Sequence, residues 1–261
     1  APSVVSALLS GALLNCAFLA ILRIHGVLVA AGLGDFSRDL LVLFGLVSMA
    51  TAAFFILGQL DFKRMLAYSS VEHVGILALG VGLGGAAGVG AMLHAINHSL
   101  TKAALFLAAG NILAAYRTKS TREVRGVLAV LPASGTVWVV GFLAITGTPP
   151  FGVFQSELIV LKGALDAGRY AIAAGYLLLL GVVFVGMATI VVRMAYGQPA
   201  GTKGLKETGG WSVSSGGRRE PKWAIVPPAL LATAVLGLGL YLPPVLQDLL
   251  EAAAVLVGAK G

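Results

Sequence analysis

With a single cysteine, Cys16, the chain can form no internal disulfide, and a lone thiol inside an apolar run serves as a small packing residue. The same scarcity leaves no cysteine set for an iron–sulfur cluster. A nucleotide-binding glycine motif and a haem-ligand pattern are also missing, so no cofactor or redox group is expected on this chain. Charge is scarce too. Only 11% of the residues are charged against 58% hydrophobic, and the mean hydropathy is +0.93. A soluble domain keeps about a quarter of its residues charged, so that class is excluded. The net charge of +7 does not point to nucleic acid. Its cations sit in the connections between apolar runs, where anionic lipid and the positive-inside rule account for them.

What the chain does have is apolar runs of bilayer length, continuous rather than alternating. Lipid offers no water to unpaired backbone groups, so only helices or closed barrels cross it. Continuous runs specify helices. The fold class is therefore all-α, a polytopic transmembrane bundle of about seven spans with one discontinuous helix. The first four spans are expected at about Val4 to Ile24, Leu40 to Gly58, Met65 to Leu83 and Val89 to Tyr116. The fifth opens near Val127 and is interrupted at Gly147-Thr148-Pro149-Pro150-Phe151-Gly152, and the last two cover Tyr170 to Val192 and Trp223 to Leu242. Residues 1–196 form the main transmembrane unit, 197–222 a polar, flexible cytoplasmic loop, and 223–261 the last span with a periplasmic tail. The chain enters its first span almost at once from Ala1, with no basic n-region and no small-residue cleavage pattern. That span is expected to be a membrane helix rather than a signal peptide, in a chain truncated or processed at its start. Twelve Lys and Arg, among them Lys63, Arg64, Arg117 and Arg125, fall on one side of the membrane and five, including Arg23 and Lys162, on the other. The twelve-cation side is expected to be cytoplasmic.

Ionisable residues inside spans carry the functional information, since each is costly unless paired or hydrated. In the fourth span His94, His98 and Lys102 are spaced i, i+4, i+8, which places them on one helical face. They climb about 12 Å, a large fraction of the hydrocarbon core. Lys102 lies too deep to snorkel easily to either surface. Desolvation disfavours its charged form, which would let it both accept and release a proton, and a neutral imidazole can receive on one nitrogen while donating from the other. The face is built like a proton relay, with Ser99 and Thr101 able to hold water. Histidines satisfied by carbonyls and serving packing are the alternative. An i, i+4 His pair can also ligate zinc, but no Cys or nearby Asp completes such a site in this span, so no metal is expected.

The broken fifth span is the second feature. Pro149 and Pro150 remove two donors while Gly147 and Gly152 free the backbone, so the helix cannot continue. Such a break needs a protein-lined or hydrated cavity. Glu157 follows it, where the dipole of the resumed helix would hold an anion; a surface carboxylate making only a cap is the alternative. In the third span Glu72 and His73 point about 100° apart and need not share a partner, while Lys63 and Arg64 at its edge would set topology.

The stretch Asp61-Phe-Lys-Arg-Met-Leu-Ala-Tyr-Ser-Ser-Val-Glu-His-Val-Gly75 resembles the turn and helix after the ninth span of the antiporter-like subunits. These occur in respiratory complex I, membrane-bound [NiFe] hydrogenases and multisubunit Na⁺/H⁺ antiporters. The segment from His94 to Phe106, continuing through Gly110-Asn111, and the break from Gly147 to Glu157 look like the same family in the same order. The opening, Ala1 to Asn15, looks like its eighth span. Within the family the chain is most similar to the hydrogenase-4 component F branch. The resemblance implies the second half of a fourteen-span fold built of inverted five-helix repeats. The family's first essential Glu–Lys pair, and with it the input half of a proton wire, would belong to spans before Ala1. The relay positions that map are His94, His98 and Lys102, then Glu157 near the periplasmic outlet. Beside them Glu72, His73, Lys63 and Asn15 are candidate accessories. Many members carry a titratable Lys or His where this chain has Asn15, so that step would need water or a neighbour.

The expected function is a proton-translocating membrane subunit of a redox-driven complex, in a bacterial or archaeal inner membrane. Nickel–iron or iron–sulfur centres would belong to partner subunits, both membrane and peripheral, and no nucleic acid is involved. A Na⁺/H⁺ antiporter subunit without redox coupling ranks lower, because sodium needs clustered oxygen ligands and the ladder offers nitrogen. A non-conducting structural anchor is the third reading.

Overall fold

The computed structural model describes residues 2–196, 213–214, 217–218 and 220–256. Among the described residues, six helices are long and apolar enough to cross a membrane. The first, α1 (Ser3–Ala30), contains a π-helical segment at Leu9–Leu13. It is followed by α2 (Gly34–Ile56), α3 (Phe62–Leu83) and α4 (Gly85–Tyr116). A short α5 (Val127–Val130) leads into α6 (Pro132–Ile145) and α7 (Gly152–Asp166), which together make the interrupted span. Then come α8 (Tyr170–Tyr196), α9 (Lys222–Leu240) and α10 (Pro244–Leu256). The expected multi-pass bundle with one discontinuous helix is the fold observed. Of the polar loop at 197–222, only a hairpin of two-residue strands (Val213–Ser214 and Gly217–Arg218) and the approach to α9 lie among the described residues. Where the sequence suggests a tail beyond Leu242, the chain turns at Leu242-Pro243 and forms α10, which packs on α4 and shares the lining of a cavity with Arg23, Val27 and Met92.

Local chemistry sets the ends of these helices. Asp61 caps α3, its Oδ1 accepting from the backbone N–H of Lys63 at 2.8 Å and of Arg64 at 3.0 Å, two donors a helix start leaves unpaired. Glu220, from the connection before α9, caps α6 by accepting from the N–H of Ala133 at 2.8 Å and Ser134 at 3.0 Å. Pro228 lacks the donor that would reach the Ala224 carbonyl one turn back. Asn111 fills that position, its Nδ2 donating to Ala224 O at 2.8 Å. The cation-rich connections gather at one end: Phe62 N donates to Lys119 O at 3.2 Å and Thr121 N to Leu60 O at 2.8 Å.

Helices α3 and α4 form the centre. In its most apolar stretch α3 is 72% buried, against 17% for α1, so the outer spans turn Phe44, Phe54, Leu178 and Leu230 to the surroundings. Without a hydrophobic drive between helices in lipid, close packing at small residues holds such a bundle together. Helices α2 and α3 meet where Gly45 and Gly75 face each other. A Cβ on Gly75 would lie 2.7 Å from Gly45 O and 2.8 Å from the Met49 side chain.

Gly75→Val is therefore expected to destabilise the bundle by about 1–3 kcal/mol through overpacking. Thermal melting in detergent, followed by size-exclusion fluorescence, measures the shift. Gly181→Ala, a position open around its Cα, should leave the melting profile unchanged, and equal melting of both variants would contradict the packing.

Candidate functional site

Helix α4 carries His94, His98 and Lys102 on one face, as the four-residue spacing requires, and all three are fully buried. Helix α3 presents Ser69, Glu72 and His73 to that face, and α7 brings Ser156 and Glu157. These five residues lie on two helices far apart in sequence, and the packing of α3 and α7 against α4 makes them one site.

Protein groups solvate the Lys102 amino group. Its Nζ donates to the Leu66 carbonyl at 2.9 Å and contacts Ser69 Oγ. Glu72 lies close enough to interact with Lys102 electrostatically, but no ion pair closes between them. Above Lys102 the polar contacts leave α4. His73 reaches across from α3, its ring centroid 5.0 Å from His98 and 5.0 Å from His94. His73 Nδ1 and His94 Nε2 are hydrogen-bonded at 2.9 Å, and His94 Nδ1 meets Ser156 Oγ at 2.9 Å. Ser156 has one hydroxyl hydrogen, and it points to Val153 O at 2.8 Å. Its Oγ therefore accepts from His94 Nδ1–H. That leaves His94 Nε2 as acceptor and His73 Nδ1–H as donor, a directional chain from α3 through α4 to α7.

Glu157 stands at the far end. It is 7% exposed, so it is no surface carboxylate. It lies in the second turn of α7, and the first turn holds no acid. The helix-dipole hold expected from sequence is thus absent, because that field fades beyond the first turn. The break positions the acid instead. Gly147 has φ +62°, a conformation glycine adopts without strain, and a Cβ there would collide with Glu157 Oε2. Gly152 lets Asn97 approach in the same way, and Gly239 of α9 packs onto the carbonyl of Pro150. A cavity of about 300 Å³ between α7 and α8, lined by Thr146, Gly147, Glu157 and Tyr176, reaches the carboxylate.

Buried polar atoms without a hydrogen-bonding partner concentrate here: both nitrogens of His98, the Asn97 amide, His73 Nε2 and Glu157 Oε1. Each costs about 1–3 kcal/mol when left dry, so this interior favours hydration. Ser99 and Thr101 are engaged by α4 itself, donating to Ala95 O at 2.7 Å and Asn97 O at 2.6 Å. Asn15 lies off the chain of imidazoles, donating to Ser99 Oγ at 2.7 Å. Lys63 sits at the start of α3 and donates to Ser3 Oγ at 3.2 Å. Sequence reasoning treated His73 as an accessory and missed Ser69, Ser156 and Asn97. The one available signal was that Ser69, Glu72 and His73 recur at i, i+3, i+4 on one face of α3. One nitrogen each of His73 and His94 and a carboxylate oxygen of Glu157 lie within 4.8 Å of one another, a donor set zinc accepts. These donors come from three helices, which is why a search along the fourth span alone could not assemble them.

A model of the family described as NADH:quinone oxidoreductase/Mrp antiporter, TM, matches residues 1–185. A hydrogenase-4 component F homolog from Methylacidiphilum infernorum (isolate V4) is 39% identical over 204 residues, covering 77% of this chain and 42% of that protein. A solved chain of respiratory complex I from Thermus thermophilus is 27% identical with TM-score 0.67, over 87% of this chain and 47% of that one. A chain of the Mrp complex from Dietzia sp. DQ12-45-1b shares the fold, with TM-score 0.78 and 24% identity over 98% of this chain and 53% of that one. The chain thus spans less than half the length of the curated relative it matches.

The tautomer chain is open to a direct check by ¹⁵N-histidine solid-state NMR. His94 is expected as the Nδ1–H tautomer, and Ser156→Ala should remove that preference and shift His73 with it. An unchanged His94 signal in the variant would contradict the assigned direction.

Proposed function

The chain belongs to the NADH:quinone oxidoreductase/Mrp antiporter transmembrane family, and from that premise we propose that it is a proton-translocating membrane subunit of a redox-driven complex of the hydrogenase-4 or complex I type. The observation that carries this reading is the run of titratable side chains through the bundle: Lys102, His98, His73, His94 and Glu157, drawn from three helices. A proton loaded on Lys102 moves to His98 and across to His73. The His73–His94 hydrogen bond lets an excess proton arrive on one ring as the next leaves the other, and both rings then reverse tautomer. Glu157 takes the proton within 4.8 Å of these nitrogens, a gap one water spans. A change of charge on a neighbouring subunit drives the step by shifting the balance between Glu72, Lys102 and Glu157.

The cation-rich end faces the cytoplasm of a bacterial or archaeal cell in this reading, and the chain sits in the inner membrane. Nickel–iron or iron–sulfur centres in partner subunits supply the electron chemistry, since this chain offers a single Cys. The imidazole nitrogens along the path suit protons better than sodium, which prefers clustered oxygens.

Proton transport by inverted membrane vesicles tests the relay. Lys102→Ala, His73→Ala and Glu157→Gln are each expected to lower the rate at least about tenfold, with the complex still assembled. Wild-type rates in all three would leave the chain a structural anchor. Sodium-driven proton exchange without any reductant would favour the antiporter reading instead.

A further inference from the structure

The relay begins at Lys102, and the resemblance places its input in spans before Ala1. A second polar route runs within this chain from the cation-rich end to Lys102. Ser3, Ser6 and Ser10 share one face of α1 at i, i+3, i+7. Ser3 Oγ accepts from Lys63 Nζ at 3.2 Å, and Ser10 Oγ is hydrogen-bonded to Ser70 Oγ at 2.7 Å. Lys63 and Ser70 are themselves i, i+7 on α3, so two polar faces run along each other into the bundle. Between them and Phe106 lies a cavity of about 430 Å³, with Lys63, Arg64 and Lys119 among its rim residues and Ser10 and Ser70 among its lining. Asp61 interacts electrostatically with Lys63, so the charge at the rim is mixed.

Beneath the Ser10–Ser70 pair, hydroxyls converge on one carbonyl. Ser70 Oγ donates to Leu66 O at 3.1 Å and Ser69 Oγ to the same oxygen at 3.2 Å. Lys102 Nζ donates to it at 2.9 Å and also contacts Ser69 Oγ. Ser10 and Ser70 are buried, at 7% and 6% exposure, in surroundings where an apolar residue would pack at no polar cost. Ser10 also lies in the π-helical segment of α1, an irregularity frequently found at functional sites.

We propose that Ser10 and Ser70 form the floor of a proton entry port through which Lys102 is loaded from the cation-rich face. Hydronium in the cavity gives its proton to Ser10 Oγ, which releases its own hydrogen to Ser70 Oγ. Ser70 and Ser69 both donate to Leu66 O rather than to each other, so a bridging water carries the exchange to Ser69, and it ends on the neutral amine of Lys102 as ammonium. Each hydroxyl gains one proton and loses one, water is left in the cavity, and no electron moves. The Leu66 carbonyl only positions the donors. The port rests on Lys102 acting as a proton carrier, but its accessibility can be read without transport.

The test uses the full-length protein in its native complex, with Cys16→Ala as background and Ser10→Cys or Ser6→Cys added singly. A membrane-impermeant methanethiosulfonate reagent is applied to inverted and to right-side-out vesicles. Labelling at least tenfold faster in inverted vesicles, where the cytoplasmic face is outside, is expected at both positions. Failure to label either position, or faster labelling from the opposite face, overturns the port and leaves the Lys102 relay standing. In a transport assay Ser10→Ala should slow proton uptake several-fold and Ser10→Thr, which keeps the hydroxyl, should restore it. Equal rates in the two variants overturn the port even where labelling succeeds. Loss of transport dependence on Lys102 with labelling intact overturns the relay reading and not the accessibility of the cavity.

Discussion

A lysine amino group in the middle of a lipid-spanning bundle has to be solvated by protein, and the contact of Lys102 with Leu66 O and Ser69 does this. Much of the architecture follows from that one requirement. Lys102 is on α4 and its acceptors are on α3, so these two helices must pack closely in a fixed register. That register turns Glu72 and His73 inward beside His98 and His94. It also explains why α3 is by far the most buried of the spanning helices: its polar residues cannot face lipid. The glycines on its other side, Gly75 and Gly82, let α2 approach from behind.

The broken span solves a related problem at the other end of the site. A continuous helix would hold Glu157 at a side chain's length from its own backbone. The interruption between α6 and α7 instead opens a recess at Gly147 into which the carboxylate folds. The Asn97 side chain packs against Gly152, and Ser156 Oγ lies 3.3 Å from the Gly152 carbonyl. Strong, directional groups thus surround a backbone gap that lipid alone would not tolerate. The same gap lets three helices contribute donors within a few ångströms, which a set of unbroken spans would keep apart.

Much of the fold was legible because bilayer thickness writes itself into sequence. Runs such as Leu40 to Gly58 and Tyr170 to Val192 have the length and continuity that only a spanning helix explains. The i, i+4, i+8 spacing placed His94, His98 and Lys102 on one face, and the Gly-Thr-Pro-Pro-Phe-Gly interruption located the break. Helix α10 was not legible, because Pro243 and the short amphipathic stretch after it look like a tail until α9 is seen to stop at the level of the break. The role of Glu157 as a dipole-held anion was misread for a similar reason: one turn of helix separates the start of α7 from the carboxylate.

The residues that complete the site needed the tertiary structure. Nothing in the order of residues says that His73 fits between His94 and His98, or that Ser156 fixes the tautomer of His94, because those contacts join residues 21 and 62 positions apart. The sequence by itself determined the solvent, the number and length of the crossings, and which spans carry titratable groups. These depend on local composition and on a helical period that does not change with context. Only the tertiary structure decided which groups meet, since helix register and crossing are set by close packing of side chains on different spans, where a shift of one residue turns a face by about 100°.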